Sequence, residues 1–239
     1  MKYEERKYRS LINKGNLSSY NVRIAESDLF ISSDTNLKFD ALKSLIKHRN
    51  SLETYIRDHP DFRTSFLPLP EDDFAPPIVR HMLRYAKSCG VGPMASVAGA
   101  VSEFVGYDLL NQTKNLIIEN GGDIFIKTEN KLITSVYAGV SPLSYNVNFV
   151  VKPQETPLGI CTSSATVGPS LSFGKADAVC VISKSATLAD AAASAIGNKV
   201  KSKNDIKPAL DFGMKIKGVT GIIIILESEM GAIGEVELV

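Results

Sequence analysis

The stretch NLIIENGGDIFIK, residues 115–127, predicts a β-hairpin and, through it, the class of fold. Its apolar runs LII and IFI are typical of strands, and they flank a turn built around Gly121 and Gly122. Glycine adopts the positive φ that tight hairpin turns require. Asn120 and Asp123 can close the turn through side-chain hydrogen bonds. Strands joined by so short a turn run antiparallel.

Apolar runs joined by short turns recur along the rest of the chain. Because crossover helices between strands are fewer than short turns, we predict an α+β fold of antiparallel sheets with helices packed on them. The other predicted strands lie at 20–24, 29–31, 132–140, 145–151, 178–182, 219–226 and 233–238, with a turn near 229–231 joining the last two.

Helical spacing of apolar residues predicts four helices. They cover about 40–58, 77–88, 93–110 and 187–197. Between the first two, residues 60–77 contain five prolines, which break helices and central strands. We therefore expect a surface connection there, in a chain that forms a single domain over 1–239 or two closely packed halves.

Composition narrows the classes of partner and compartment. The chain of 239 residues carries a net charge of only +1, so no nucleic-acid partner is expected. Its longest apolar stretch, 219–226, is far shorter than the roughly 20 residues of a membrane helix. The start, MKYEERKYRS, has no apolar core of the signal-peptide kind, and the three cysteines have no CxxC spacing. We expect a cytoplasmic protein without a membrane partner.

The helix predicted at 93–110 contains many small side chains around Gly99. A glycine inside a helix costs roughly 1 kcal/mol, so its presence calls for a reason. Two interpretations of these small residues are possible. The small residues allow either close packing of another helix or close approach of a ligand.

The segment GICTSSATVGPSLSFG, residues 159–174, is rich in hydroxyl groups and glycine. Buried hydroxyls without partners cost about 1–3 kcal/mol, so many of these must contact water, backbone or a ligand. Hydroxyls and free amides can bind phosphate, sulfate or carboxylate, while the alternative is a loop that bonds its own backbone. The candidate ligand-binding residues here are Thr162, Ser163, Ser164, Thr166, Ser170 and Ser172.

In LADAAASAIGN, residues 188–198, Asp190 and Ser194 are four residues apart and share one face of the predicted helix. A carboxylate and a hydroxyl are oxygen ligands that suit Mg²⁺. The competing interpretation is a capping box, in which Thr187 and Asp190 satisfy free amides at the start of the helix.

Cys161 is the candidate catalytic residue, because nearby amides or a metal would favour a nucleophilic or persulfide-carrying thiolate. The alternative is a buried cysteine that acts as a small apolar side chain.

Four motifs in this order, SVAGAVSEFVG, ENGGDIFI, GICTSS and LADAAASAIGN, resemble the ApbE superfamily, best known for magnesium-dependent FAD:protein FMN transferases. The resemblance implies an ApbE-like fold and a metal site at Asp190 and Ser194, completed by a backbone carbonyl near Gly99. It further implies that residues 120–123 and 162–164 line a flavin nucleotide pocket.

Two departures bear on the activity that the resemblance implies. Ala98 stands where such transferases carry a lysine, and their His-x-x-Asp-Pro-x-Thr-Gly loop is absent. The chain looks more like a short cytoplasmic branch of the superfamily from anaerobic archaea and bacteria, similar to proteins linked to sulfide assimilation and homocysteine formation.

We therefore expect binding of a small anionic or nucleotide-like ligand, with Mg²⁺ as cofactor and without flavin transfer. One alternative is an FAD:protein FMN transferase. The other is a noncatalytic sulfur-relay or assembly partner, with a homodimer as one form of assembly. An enzyme of this kind would be a transferase of cofactor or sulfur metabolism.

Overall fold

The computed structural model describes residues 17–167 and 172–239. Eight strands form one sheet in the order β1-β2-β3-β4-β7-β8-β9-β10, and every neighbouring pair is antiparallel. The other two strands, β5 and β6, form a separate antiparallel pair. The strands are β1 (Ser18–Ile24), β2 (Ser27–Ser33), β3 (Leu116–Asn120), β4 (Asp123–Lys127), β5 (Leu132–Ser135), β6 (Asn148–Val151), β7 (Leu158–Ser163), β8 (Ala178–Ser183), β9 (Val219–Leu226) and β10 (Glu229–Gly234).

Helices cover one face of the large sheet. They are α1 (Lys38–Asp58), α2 (Asp61–Thr64), α3 (Pro77–Cys89), α4 (Val97–Leu109), α5 (Ala186–Gly197) and α6 (Ile206–Gly213). Because side chains alternate across a strand, Cys161, Val181 and Ile222 face the helical core. Their neighbours Ile160 and Ile182 face the opposite side, where they pack with Phe149 of β6 and its surroundings. The α+β prediction is confirmed, with the sheet lying between a helical layer and the small β5–β6 sheet.

Several predicted boundaries are wrong. Predicted strands 132–140 and 145–151 shrink to β5 and β6, and the connection between them folds back so that Tyr137 and Tyr145 stack, with ring centroids 5.1 Å apart. Residues 229–231 lie in β10, so the final turn comes earlier, at Glu227, whose φ is 55°. Periodicity alone does not reveal such turns, since apolar residues also occur in packed loops.

The proline-rich segment contains one helical turn that the prolines did not lead us to expect. Helix α2 begins directly after Pro60, a position that suits the fixed φ of proline. Phe62 in this turn is fully buried and packs edge-on against Tyr55 at 5.3 Å. A buried aromatic side chain therefore anchors the segment to the helical layer.

The α3 boundary follows the sequence closely. Pro77 begins the helix, and Gly90 ends it in the left-handed conformation with φ 72°. The next helix opens with a 3-10 turn over Pro93–Ser96 before α4 starts. Over the described parts of the chain, every helix is too short or too polar to cross a membrane.

Candidate functional site

Four elements meet at one place on the helical face of the sheet: the β3–β4 turn, β7, the first turn of α4 and α5. The Asn120 side chain of the turn donates to the Ala98 carbonyl at 3.1 Å. The Gly99 amide donates to Asp190 Oδ2 at 2.9 Å. The Cys161 thiol of β7 donates to the carbonyl of Ala186, the first residue of α5, at 3.3 Å. We call this convergence the α4–α5 site.

Gly99 is required by the distance between α4 and α5. A Cβ atom at this position would overlap the Ala186 carbonyl oxygen and lie 2.8 Å from Asp190 Cβ. The helices therefore touch through backbone, and that contact delivers the Gly99 amide to the Asp190 carboxylate. Gly99 is therefore both the packing contact between the two helices and the residue bonded to Asp190, the candidate metal ligand. The Gly99 carbonyl itself accepts from Ser102 Oγ at 3.0 Å.

Asp123 and Asp190 form a pair of acidic groups at the α4–α5 site. Burial raises the pKa of Asp123 well above its usual range, and the charge of Asp190 adds to the effect. Burial also raises the pKa of Asp190 to about 7, against the hydrogen bonds from the amides of Gly99 and Ala98. Asp123 is buried and Asp190 is half-buried. Two such carboxylates without a cation repel each other, so this pair holds a proton near neutral pH or accepts a positive ion.

Cys161 lies beside these carboxyl groups, and its thiol is bonded to the first residue of α5. It is fully buried, and burial followed by the charges of Asp123 and Asp190 raises its pKa well above the ordinary value. A thiol in this setting stays protonated and acts as a hydrogen-bond donor. The structure therefore gives no support to the candidate nucleophile, and its reactivity stays a prediction to be tested. Burial raises the pKa of Cys89 and of Cys180 to about 12 each.

The β3–β4 turn has the predicted backbone shape, but a different side chain closes it by hydrogen bonding. Gly121 and Gly122 adopt φ of 73° and 105°, as a glycine hairpin turn requires. The carboxylate of Glu119, rather than Asn120 or Asp123, accepts from the Gly122 amide at 2.9 Å. The predicted closure is wrong because Asn120 and Asp123 point instead to α4, β7 and α5.

The hydroxyl-rich segment divides between two faces of the sheet. Its first five residues lie in β7, so Ser163 approaches Gly197 of α5, while the Thr162 hydroxyl contacts Cys180 on the other face. The Thr162 amide still reaches Asp123. The first part of the hydroxyl-rich segment is thus a central strand.

The later hydroxyls of this segment bond locally. Ser164 Oγ accepts from the amides of Thr166 and Val167 at 3.1 and 2.9 Å, and Thr166 Oγ1 donates to the buried Asp177 at 3.1 Å. Ser172 Oγ accepts from the Gly174 amide at 3.2 Å. These contacts match the alternative of a loop that bonds its own backbone. Ser170 lies outside the described residues.

The capping-box interpretation of α5 is wrong. Ser185, two residues earlier, is the N-cap, and its hydroxyl accepts from the Leu188 amide at 3.2 Å. Thr187 instead donates to Glu103 of α4. Asp190 is therefore not needed to cap the helix, which leaves its carboxylate facing Gly99.

Glu103 was not singled out by sequence reasoning. Glu103 and Asp108 are the two acidic residues of the small-residue helix, and Glu103 follows Gly99 by four residues, which places both on one helix face. That pattern could have identified it. The residue is only 2% exposed, and its carboxylate bonds to the start of α5.

The oxygen-rich donor set at the site suits a hard cation. Asp190, Asp123 and the half-buried Ser194 offer carboxylate and hydroxyl oxygens, which Mg²⁺ prefers. Within residues 17–167 and 172–239, no cluster of three or more His, Cys, Asp or Glu side chains is arranged to hold a metal. A site of this composition suits Mg²⁺, which commonly uses one or two carboxylates together with water and ligand oxygens.

Structural comparison places the fold among known proteins. The chain aligns with the flavinyl transferase ApbE of Pseudomonas stutzeri with a TM-score of 0.57 and 13% identity, covering 91% of this chain and 94% of that one. It aligns with the ApbE protein of Thermotoga maritima with a TM-score of 0.55 and 13% identity, covering 90% and 96%. At this identity the likeness shows the fold, which is the ApbE-like fold that the motifs led us to expect.

Sequence comparison reaches closer relatives. A UPF0280 protein of Methanocaldococcus jannaschii is 41% identical over 219 residues, covering 89% of each chain. A UPF0280 protein of Methanococcus aeolicus is 38% identical over 218 residues, covering 86% of this chain and 88% of the relative. The sequence model of the family described as AbpE bacteria matches residues 9–237. The chain therefore belongs to this ApbE-like family, together with the UPF0280 proteins.

Proposed function

We propose that this protein binds Mg²⁺ together with a small anionic, nucleotide-like ligand at the α4–α5 site. The observation that carries the proposal is the acidic pair beside the backbone of Gly99, in which Asp123 is buried and Asp190 is half-buried. A protein that needed only a packed core would gain stability from apolar side chains at these positions, since buried like charges are costly.

In this proposal Asp190 and Asp123 hold the metal, with Ser194 one helical turn away as a further oxygen donor. The metal would supply the positive charge for an anion, which the uncharged Ala98 does not provide. The residues of this chain position the carboxylates and exclude water through close packing of α4 on α5.

The ligand would lie beside the β3–β4 turn and the end of β7. A Cβ added at Gly122 would lie 3.8 Å from the Thr162 carbonyl oxygen, at ordinary van der Waals distance, so the turn lies next to the end of β7 without crowding it. Ser163 of β7 and Ser194 of α5 are half-buried, and the Ser163 hydroxyl lies close to Gly197 of α5. Backbone amides and hydroxyls of this kind bind phosphate or carboxylate oxygens.

Isothermal titration calorimetry with Mg²⁺ alone, and then with ADP as the probe anion in the presence of Mg²⁺, tests this proposal. Asp190→Asn should weaken Mg²⁺ binding at least about tenfold, because it removes a ligand charge. Asp211→Asn is the matched control, since Asp211 is a half-exposed carboxylate on α6, paired with Lys207. Equal Mg²⁺ affinity in wild type and Asp190→Asn would reject the metal site.

Flavin transfer is the second candidate, favoured by the names of the solved structures that share the fold. Ala98 in place of a lysine and the missing histidine-containing loop argue against it. We expect no FMN on an acceptor peptide bearing a threonine after incubation with FAD and Mg²⁺, as read by mass spectrometry. A flavinylated acceptor would replace our proposal by this one. The link to sulfide assimilation and homocysteine formation stays a prediction from the resemblance.

A further inference from the structure

Glu103 makes a concentrated set of hydrogen bonds between α4 and α5. One carboxylate oxygen, Oε2, accepts from Ser185 Oγ at 2.8 Å, from the Thr187 amide at 2.7 Å and from Thr187 Oγ1 at 2.7 Å. A carboxylate that is 2% exposed needs such partners, because an unpaired buried charge is strongly destabilising. The positive end of the α5 helix dipole adds to the attraction.

The contact of Glu103 with Thr187 and the contact of Gly99 with Asp190 lie at successive turns of the same two helices. Gly99 lies four residues before Glu103 on α4, about one turn. Asp190 lies three residues after Thr187 on α5, again close to one turn. Two contacts about one turn apart on each helix fix both the rotation and the sliding of α5 against α4. A single contact would leave one of these movements free.

We propose that Glu103 is a positioning residue that fixes the register of α5 on α4 and thereby places Asp190 against Gly99 for Mg²⁺ binding. The binding part of this inference rests on the proposed function; the register part does not. Glu103 contacts the start of α5 rather than the metal ligands. It acts on Asp190 through the helix that carries both Thr187 and Asp190. Residues that orient metal ligands in this way commonly change metal affinity by 10–100-fold when mutated.

Asp108, on the same helix, provides the matched control. Its carboxylate accepts from Ser44 Oγ at 2.8 Å and contacts His48 Nε2 at 2.9 Å, which joins α4 to α1 instead of α5. Asp108→Asn should therefore lower stability without changing the α4–α5 register. Glu103→Gln keeps a carbonyl acceptor but loses the charge. Thr187→Val removes one hydroxyl donor while the Thr187 amide stays.

The first readout is hydrogen exchange of the Gly99 amide by NMR in protein without metal. That amide is bonded to Asp190, so its protection reports the register directly. We expect exchange at Gly99 to become about tenfold faster in Glu103→Gln and Thr187→Val, relative to core amides of β8 in the same sample, with no relative change in Asp108→Asn. The second readout is Mg²⁺ affinity by calorimetry, which should fall about tenfold in Glu103→Gln and stay unchanged in Asp108→Asn.

The inference is overturned if Gly99 exchange and Mg²⁺ affinity in both α4–α5 variants change no more than in Asp108→Asn. Glu103→Gln and Thr187→Val are both mild, so the pair stays informative if a harsher Glu103→Ala protein fails to fold. Absence of Mg²⁺ binding in the wild type would refute the proposed function and, with it, the binding part of the inference. The Gly99 exchange rates would still decide whether Glu103 sets the register.

Discussion

Asp190 carries the clearest pH signature at the scale of single residues. Its pKa in the folded protein lies near 7, against an ordinary value of 3.8. Between these values the unfolded chain releases a proton that the folded protein retains, so the metal-free protein loses stability as pH rises from about 4 to 7. Above pH 7 the full penalty of the buried charge is present.

Replacing Asp190 by Asn should therefore stabilise the metal-free protein at pH 8, by on the order of 1–3 kcal/mol, since each pKa unit corresponds to about 1.4 kcal/mol. Thermal unfolding in EDTA at pH 5 and pH 8 measures this. The variant should show the smaller loss of Tm between the two pH values. A variant less stable than wild type at pH 8 would mean that the buried carboxylate already has a sufficient partner in the absence of metal.

Cys161 should resist chemical modification in the folded protein. Burial and the two neighbouring carboxyl groups keep its thiol protonated, and the thiolate is the reactive form. We expect iodoacetamide at pH 8 to label Cys161 only after denaturant is added, as followed by peptide mass spectrometry. Rapid labelling of Cys161 under native conditions, or a sulfur adduct on it after exposure to sulfide and oxidant, would instead support the sulfur-relay alternative.

At the scale of secondary-structure elements, the packing of α4 on α5 is the feature most sensitive to mutation. Gly99→Ala should destabilise the protein by about 2–4 kcal/mol, because the new methyl group overlaps the Ala186 carbonyl. Helix propensity alone would give the opposite sign, a gain of about 1 kcal/mol. Urea unfolding of the wild type and of Gly99→Ala measures this difference in the free energy of unfolding. A stabilised Gly99→Ala protein would show that the two helices separate easily.

The end of β2 is tied to the start of β3 through Asp34. Its carboxylate accepts from the Thr113 hydroxyl and from the amides of Lys114 and Asn115 at 2.8–2.9 Å. Burial is the largest single influence and opposes ionisation, but the hydrogen bonds from Asn115, Thr113 and Lys114 together outweigh it and lower the pKa of Asp34 to about 2. This contribution to stability is present above pH 3.8 and is lost as pH falls towards 2.

Asp34→Asn should accordingly be less stable than wild type at pH 5 and should approach wild-type stability near pH 2. Urea unfolding at the two pH values, corrected for the overall acid sensitivity of the fold, tests the expectation. A stability difference that is the same at both pH values would show that the Asp34 charge is not the source of the effect.

Elements with strong local signals were predictable from the sequence. The β3–β4 hairpin follows from its two glycines, and the end of α3 follows from Gly90, because both positions need positive φ. The start of α5 was misplaced because Ser185 and Thr187 are both good N-cap residues. Only the tertiary contact of Thr187 with Glu103 decides between them.

At the scale of the whole molecule, the convergence of distant motifs was the part of the site open to prediction. Asn120, Asp123, Cys161 and Asp190 come from separate elements and share one place on the helical face of the sheet. The ordered motifs suggested this meeting through the resemblance, but spacing along the chain could not supply the pairing of Asp123 with Asp190. That pairing depends on the register of β4 beside β7 and on α5 crossing above both.

The hydroxyl-rich segment shows where sequence reasoning failed. Its composition makes both Thr162 and Ser163 candidate ligand-binding residues, yet alternation along β7 places their side chains on opposite faces of the sheet. The Ser164 hydroxyl then accepts from the Thr166 amide within a local turn, and the Thr166 hydroxyl donates to Asp177. Amino-acid composition does not reveal that β7 ends at Ser163, and it is this boundary that separates the strand residues from the local turn.

The most direct test of Asp123 and Asp190 as a cation site is anomalous diffraction from crystals soaked in Mn²⁺, a heavier ion that prefers the same oxygen ligands as Mg²⁺. We predict one strong anomalous peak within bonding distance of the Asp190 carboxylate, on the side of Asp123, and its loss in crystals of Asp190→Asn. A Mn²⁺ peak bound elsewhere in the wild type, with the space between Asp123 and Asp190 empty, would contradict the account.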